Sequence, residues 1–178
     1  MKVAQQRNLA GYDMPPIEWE HVRDTLSTDI TQAPGTGGPN RHTSWLTTTN
    51  TDGTPHVTPV GFIQIDGVRY FNSGPATRKS RNIAANPRCA VSVATQPFDL
   101  VIEGSAERVT DAGELRIVAD TFNKQGWPAQ VDGDALTAEY SAPSAGPPPW
   151  HVYRIAPTTV FAFGTAEPGG AMKFEIDQ

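Results

Sequence analysis

Residues 70–88 read YFNSGPATRKSRNIAANPR. An aromatic run gives way to a Ser-Gly-Pro turn, and Arg78, Lys79, Arg81 and Arg88 then follow with no acidic residue between them. Tyr70 and Phe71 read as the end of a strand. Thr77 is suited to cap a short helix that Pro87 terminates. The first turn of a helix presents free N–H groups and the positive end of the helix dipole, so cations there are locally unfavourable unless an anion receives them. The local pattern supports two readings, a phosphate site built from Thr77, Arg78 and Lys79 or an exposed basic helix face. No Walker-type glycine spacing decides between them.

Upstream of this stretch lie strands joined by tight turns. "HTSWLTTTN", "PHVTPVGFIQI" and "VRYFN" are separated by Asp52-Gly53 and Asp66-Gly67, which are strong hairpin signals. They predict a meander over about 43–50, 56–65 and 68–72. Further upstream, residues 1–15 lack periodicity and read as an arm. "PIEWEHVRDTLS" places Ile17, Val22 and Leu26 near one helical face, and "TQAPGTGGPN" is a loop.

Downstream, "CAVSVAT" and "DLVIEGSAERVT" read as strands. Asp111 caps a helix whose Leu115, Val118, Ala119 and Phe122 recur at helical spacing, and Gly126 stops it. Residues 128–149 read as a long loop or lid, "WHVYRIAPTTVFAFG" as a last strand, and the remainder as a Gly-rich tail. The prediction is a single domain over 1–178, mainly β with α: a six-stranded antiparallel split β-barrel of Greek-key type with packed helices. A β-sandwich is the competing architecture. A parallel βαβ fold is disfavoured because the first three strands lack crossover helices.

Bulk properties narrow the partners. A formal net charge of −5 argues against nucleic acid and anionic membranes, so the basic cluster needs a local target. The apolar runs are too short to span a bilayer. One cysteine, Cys89, permits no intrachain disulfide, and the opening residues turn polar at once. Both point to a cytoplasmic protein. The four histidines show no i, i+4 pair, which disfavours a metal site.

The stretch from 43 to 104 carries more. Its strand–"DG.PHV.PV"–strand, then "YFNS", "TRKSRN….NPR" and "VIEG", resemble the flavin-binding core of the pyridoxamine 5′-phosphate oxidase-like family. That superfamily includes the flavin/deazaflavin-dependent oxidoreductases that use coenzyme F420. The resemblance implies an FMN-binding split barrel, a homodimer with cofactor sites at the subunit interface, and a small-molecule substrate. By position, it puts Arg78 and Lys79 on the cofactor phosphate with Thr77 capping the helix beside it. Asn72 and Ser73 would lie along the ribityl chain, and Thr58, Pro59 and Val60 against the ring. Asn82 would touch the phosphate or cap the preceding loop, and Trp150 would wall the pocket by stacking.

The chain departs from the oxidase proper. Thr58 stands where that enzyme has arginine, Asp99 near a glutamine, and the tail "AEPGGAMKFEIDQ" lacks its Arg-His motif. These departures argue against vitamin B6 oxidation. The Ala-, Thr-, Pro- and Gly-rich composition resembles high-GC bacterial coding, where F420 users are frequent. The expected function is therefore an F420-dependent oxidoreductase moving hydride between the reduced deazaflavin and a small organic metabolite. The alternatives are an FMN-dependent oxidase or reductase of the same fold, or a non-catalytic flavin- or haem-binding protein. In such enzymes the cofactor carries the reactive chemistry, so no protein nucleophile is expected. His42, His56 and His151 are candidate proton donors. Glu103 reads as the partner of a nearby arginine.

Overall fold

The computed structural model describes residues 1–10, 14–27, 44–95, 97–141, 145–165 and 169–177. The predicted loop "TQAPGTGGPN" and His42 lie outside the described residues.

Eleven strands and three helices occur among the described residues. Strand β1 (Val3–Asn8) precedes helix α1 (Trp19–Ser27), β2 (Ser44–Thr49) and β3 (Pro55–Val60). Then come β4 (Ile63–Ile65), β5 (Val68–Ser73) and helix α2 (Arg78–Ala85). Strands β6 (Arg88–Ala94) and β7 (Phe98–Val109) lead into α3 (Ala112–Lys124). A hairpin of β8 (Gln130–Asp132) and β9 (Ala135–Thr137) precedes the long β10 (His151–Gly164) and β11 (Ala171–Ile176).

One antiparallel sheet runs β1-β11-β10-β7-β6-β2-β3, with the β4–β5 hairpin attached to β10 through β5. The split originates in β10. One edge of that strand pairs with β7 along its length, while the other edge is shared between β5 (residues 151–155) and β11 (residues 159–163). The pairing does not close: β3 bonds only β2, and β4 only β5.

Both predicted Asp-Gly turns form, with Gly53 and Gly67 at positive φ. The expected meander does not. Its middle strand breaks after Val60, so that β3 belongs to β2 while β4 turns away with β5. The expected arm contains β1, which pairs with β11. The expected linker contains the β8–β9 hairpin, and the Gly-rich tail contains β11. In "VIEG", a Cβ on Gly104 would stand 2.1 Å from the Ala156 carbonyl oxygen, beside the register shift at Pro157. That glycine is required by a close backbone approach.

Two apolar clusters fill the molecule. The larger lies inside the curled sheet, where Leu46, Phe71, Val91, Leu100, Ile102 and Val160 meet Trp19, Val22 and Leu26 of α1. The smaller packs α3, through Leu115, Val118 and Phe122, on Ile63, Tyr70 and Val152. As its spacing predicts, α3 begins at Asp111, whose carboxylate accepts from Glu114 N at 2.8 Å. Glu103 is exposed, and no arginine pairs with it among the described residues. Arg154 instead bonds Glu107 at 2.9 Å and Glu114 at 3.4 Å.

Candidate cofactor site

Thr77 caps α2 as the sequence predicts. Its backbone is extended (φ −69°, ψ 155°) and its hydroxyl accepts from Ser80 N at 3.4 Å. The same hydroxyl meets Ser73 Oγ at 2.8 Å and donates to Ser80 Oγ at 3.1 Å. Ser73, fully buried at the end of β5, fastens the turn through this contact. Gly74 makes the turn possible. A Cβ there would stand 2.5 Å from the Ala145 carbonyl oxygen, which accepts from Gly74 N at 3.0 Å.

The far side of α2 is pinned by Asn82. Its amide donates to Thr48 Oγ1 at 3.0 Å and Asn50 Oδ1 at 2.9 Å, joining the helix to β2 and the following turn. The residue expected to touch phosphate or cap a loop thus positions the helix. Arg81 is exposed and donates to the Ala76 carbonyl.

Lys79 and Arg78 divide the positive charge unequally. Arg78 is exposed, whereas Lys79 is 7% exposed. No acidic partner of Lys79 is found among the described residues, and burial lowers its pKa from the ordinary lysine value. A buried ammonium without a counter-charge is costly unless an anion compensates it.

On β3, side chains alternate across the sheet. Thr58 lies opposite buried Leu46, and Val60 packs against the larger core, so His56, Thr58 and Val60 share the inner face. Pro59 faces outward, opposite Trp45. His56, one of the candidate proton donors, shares this face by its parity with Thr58. Burial first, then the fields of Arg78 and Lys79, lower its pKa, which keeps the ring neutral beside the two cations. Asn72 is half-buried at the end of β5.

A groove of about 330 Å³ runs along the other flank of α2, from Pro75 and Arg81 past Ile83 to Arg108, His151 and Tyr153. Its volume is at the lower end of small-molecule sites. His151 is half-buried, and burial depresses its pKa. Trp150 belongs to the end of the loop that precedes β10. It is buried, donates to the Gly146 carbonyl at 3.0 Å and packs against Trp127 at 5.6 Å. Cys89 is a buried thiol pushed up to about 12, which leaves it protonated and unsuited to nucleophilic attack. Among the described residues no group of three or more His, Cys, Asp or Glu could hold a metal. No helix among them is long and apolar enough to cross a membrane.

The arrangement is thus an anion-ready helix start beside a half-covered β3 face, with a small-molecule groove on the opposite flank. Comparison with curated protein sequences gives no match. Solved structures share the fold. A conserved hypothetical protein from Mycobacterium tuberculosis is 17% identical with a TM-score of 0.59, covering 87% of this chain and 89% of that one. General Stress Protein 26 from Bacillus anthracis is 19% identical with a TM-score of 0.52, covering 80% and 93%. A pyridoxamine 5′-phosphate oxidase-related, FMN binding protein from Nostoc punctiforme is 15% identical with a TM-score of 0.54, covering 76% and 82%. The family model described as Pyridoxamine 5′-phosphate oxidase matches residues 38–164, from before β2 to the end of β10, and the chain belongs to that family.

Proposed function

We propose that this chain is an oxidoreductase that binds a phosphorylated flavin-like cofactor at the start of α2, with coenzyme F420 as the first reading and FMN as the second. The observation that carries this reading is Lys79, a buried cation with no acidic partner among the described residues, set at a capped helix start. A phosphate there receives Lys79, the exposed fork of Arg78 and the first free N–H groups of α2. The free edge of β3 offers backbone N–H and C=O groups to the rim of a flat heterocycle, and Thr58 and Val60 supply its half-buried surroundings. When bound, the cofactor supplies hydride transfer. The chain's own residues bind, orient and exclude water.

F420 is placed first because the chain departs from the FMN-dependent oxidase at two positions, of which Thr58 lies on the β3 wall of this site. Thr58 replaces an arginine on the inner face of β3, and Asp99 stands near a glutamine position. FMN remains the second reading because the structural relative from Nostoc is an FMN binding protein. The organic substrate is proposed to lie against the cofactor ring at the β3 face, since hydride transfer requires contact between them. The cofactor pocket is proposed to be completed by a second copy of the chain.

Tryptophan-fluorescence titrations with F420, FMN and riboflavin test the reading. Expected are saturable quenching by a phosphorylated cofactor, tighter for F420, and much weaker quenching by riboflavin. Equal affinity for FMN and riboflavin would remove the phosphate site. Tight binding without turnover across a panel of conjugated acceptors would move the chain to the non-catalytic class.

A further inference from the structure

At the other end of β5 from the α2 site, Arg69 points into the barrel. It pairs in register with Gln64 on β4 and Ile155 on β10. Side-chain parity places it with Phe71 on the interior face, while Val68 and Tyr70 face α3. The residue is 7% exposed. No hydrogen bond or ion pair involves its guanidinium among the described residues, and Nη2 is fully enclosed without a partner. Gln64 Oε1, on the same face of the hairpin, is enclosed and unpartnered too. Arg69 lines a cavity of about 10 Å³ together with Met1, Gly67, Ile102, Ile155 and Pro157. That is room for one particle about the size of a water molecule.

A guanidinium has five N–H donors and is among the residues least often buried without a partner. Burial pushes its pKa down to about 10, with no contribution from any carboxylate, so the group stays charged at neutral pH. A water molecule would satisfy donors but leave the charge uncompensated in an apolar wall of Ile102, Ile155 and Pro157. An anion satisfies both. Phosphate and carboxylate ligands exceed a cavity of this size, which leaves a monatomic anion. One wall is Met1, 40% exposed, whose flexible side chain can shift to widen the cavity from a water to a halide and to admit it. Half a turn of the Gln64 amide presents NH2 in place of its carbonyl and adds a donor on the same face.

We propose that the barrel end beneath β4 and β5 is a binding site for a single halide ion of chloride size, held by Arg69 with Gln64 beside it. It is separate from the cofactor site: Arg69 and Ser73 are four residue steps apart along β5, about 13 Å at the usual strand rise.

Two measurements on the full chain decide it. Thermal unfolding is followed in sodium gluconate and in sodium chloride at equal ionic strength. Chloride well above its dissociation constant should raise the midpoint of the wild type by about 5 °C. Arg69→Met, which replaces a buried cation by an apolar side chain of similar length, should lose that response. Independently of any variant, crystals grown in sodium bromide should show an anomalous peak at hydrogen-bond distance from the guanidinium. An equal chloride response in wild type and Arg69→Met overturns the proposal. So does a guanidinium that bonds Gln64 or a water with no bromide signal.

Discussion

A lysine enclosed at a helix start without an acid works against the fold that holds it, and the cost has a measurable sign. Burial lowers the folded pKa of Lys79 below its ordinary 10.5. Between those two values the unfolded chain binds more protons than the folded one, so the stability of the cofactor-free protein rises with pH through that window. Replacing Lys79 by Met should flatten the rise and raise the midpoint of the free protein by about 2–4 °C. The same substitution should weaken binding of the phosphorylated cofactor by about 10- to 150-fold, the range expected for one charge-assisted contact. Riboflavin binding should not change. A variant that loses stability and binds both ligands as before would return the cluster to a solvated basic face. His56 offers the complementary reading. Its pKa is lowered by burial first and then by Arg78 and Lys79, so protonation resists folding as pH falls below about 6.5, the ordinary value. A phosphate that neutralises the two cations lifts the part of that depression which Arg78 and Lys79 cause. Calorimetry near pH 6 in buffers of different ionisation heat should therefore detect proton uptake on cofactor binding, and His56→Gln should abolish it.

Element by element, what could be read from the sequence follows how local the determining interaction is. Thr77 before α2, Asp111 before α3 and the Asp-Gly turns at 52–53 and 66–67 each act on neighbours a few residues away, and each forms as predicted. The place of Arg78 and Lys79 in the first turn of α2 was legible for the same reason. Asn82 was not, because its two partners, Thr48 and Asn50, are more than thirty residues distant. A third tight turn, at Gly133-Asp134, joins β8 to β9 without a flanking strand pattern in the sequence. Its first strand, Gln130–Asp132, is exposed throughout and shows no alternation. Strand β1 is likewise polar because an edge strand covers little. By contrast, Met172, Phe174 and Ile176 do alternate, and the preceding Gly-Gly obscured the pattern. The element most exposed to failure is the turn into α2. Gly74→Ala would drive a methyl group into the Ala145 carbonyl, where backbone and not a flexible side chain must yield. Overpacking of this kind costs about 1–3 kcal/mol. The expected outcome is a midpoint lowered by about 2–10 °C, with cofactor affinity lost beyond what that destabilisation explains. Gly53→Ala is the control, since a Cβ there meets nothing within 4 Å and the turn bears only the strain of its positive φ.

At the scale of the molecule, the outer face of the sheet poses a problem that one chain does not solve. The register aligns Pro59, Trp45, Ser92, Val101 and Phe161 in a continuous row across β3, β2, β6, β7 and β10. Trp45 is 47% exposed, Val57 beside it 54%, and Phe163 on β10 39%. We propose that this largely apolar stripe is an interaction surface. A two-fold axis lets such a stripe cover itself, because the same residues supply both sides. The stripe also reaches β3, whose opposite face carries His56, Thr58 and Val60. Association would therefore stiffen the strand that forms one wall of the cofactor site. Trp45→Glu places a charge at the centre of the stripe without touching the α2 cations. Analytical ultracentrifugation should show the wild type near twice the 19.2 kDa chain mass and the variant near that mass. If the second copy completes the pocket, cofactor affinity should fall with the dimer, and raising the variant's concentration should restore both together. A monomeric Trp45→Glu that keeps full affinity would separate the two, leaving the stripe as an interface and the α2 site as complete within one chain.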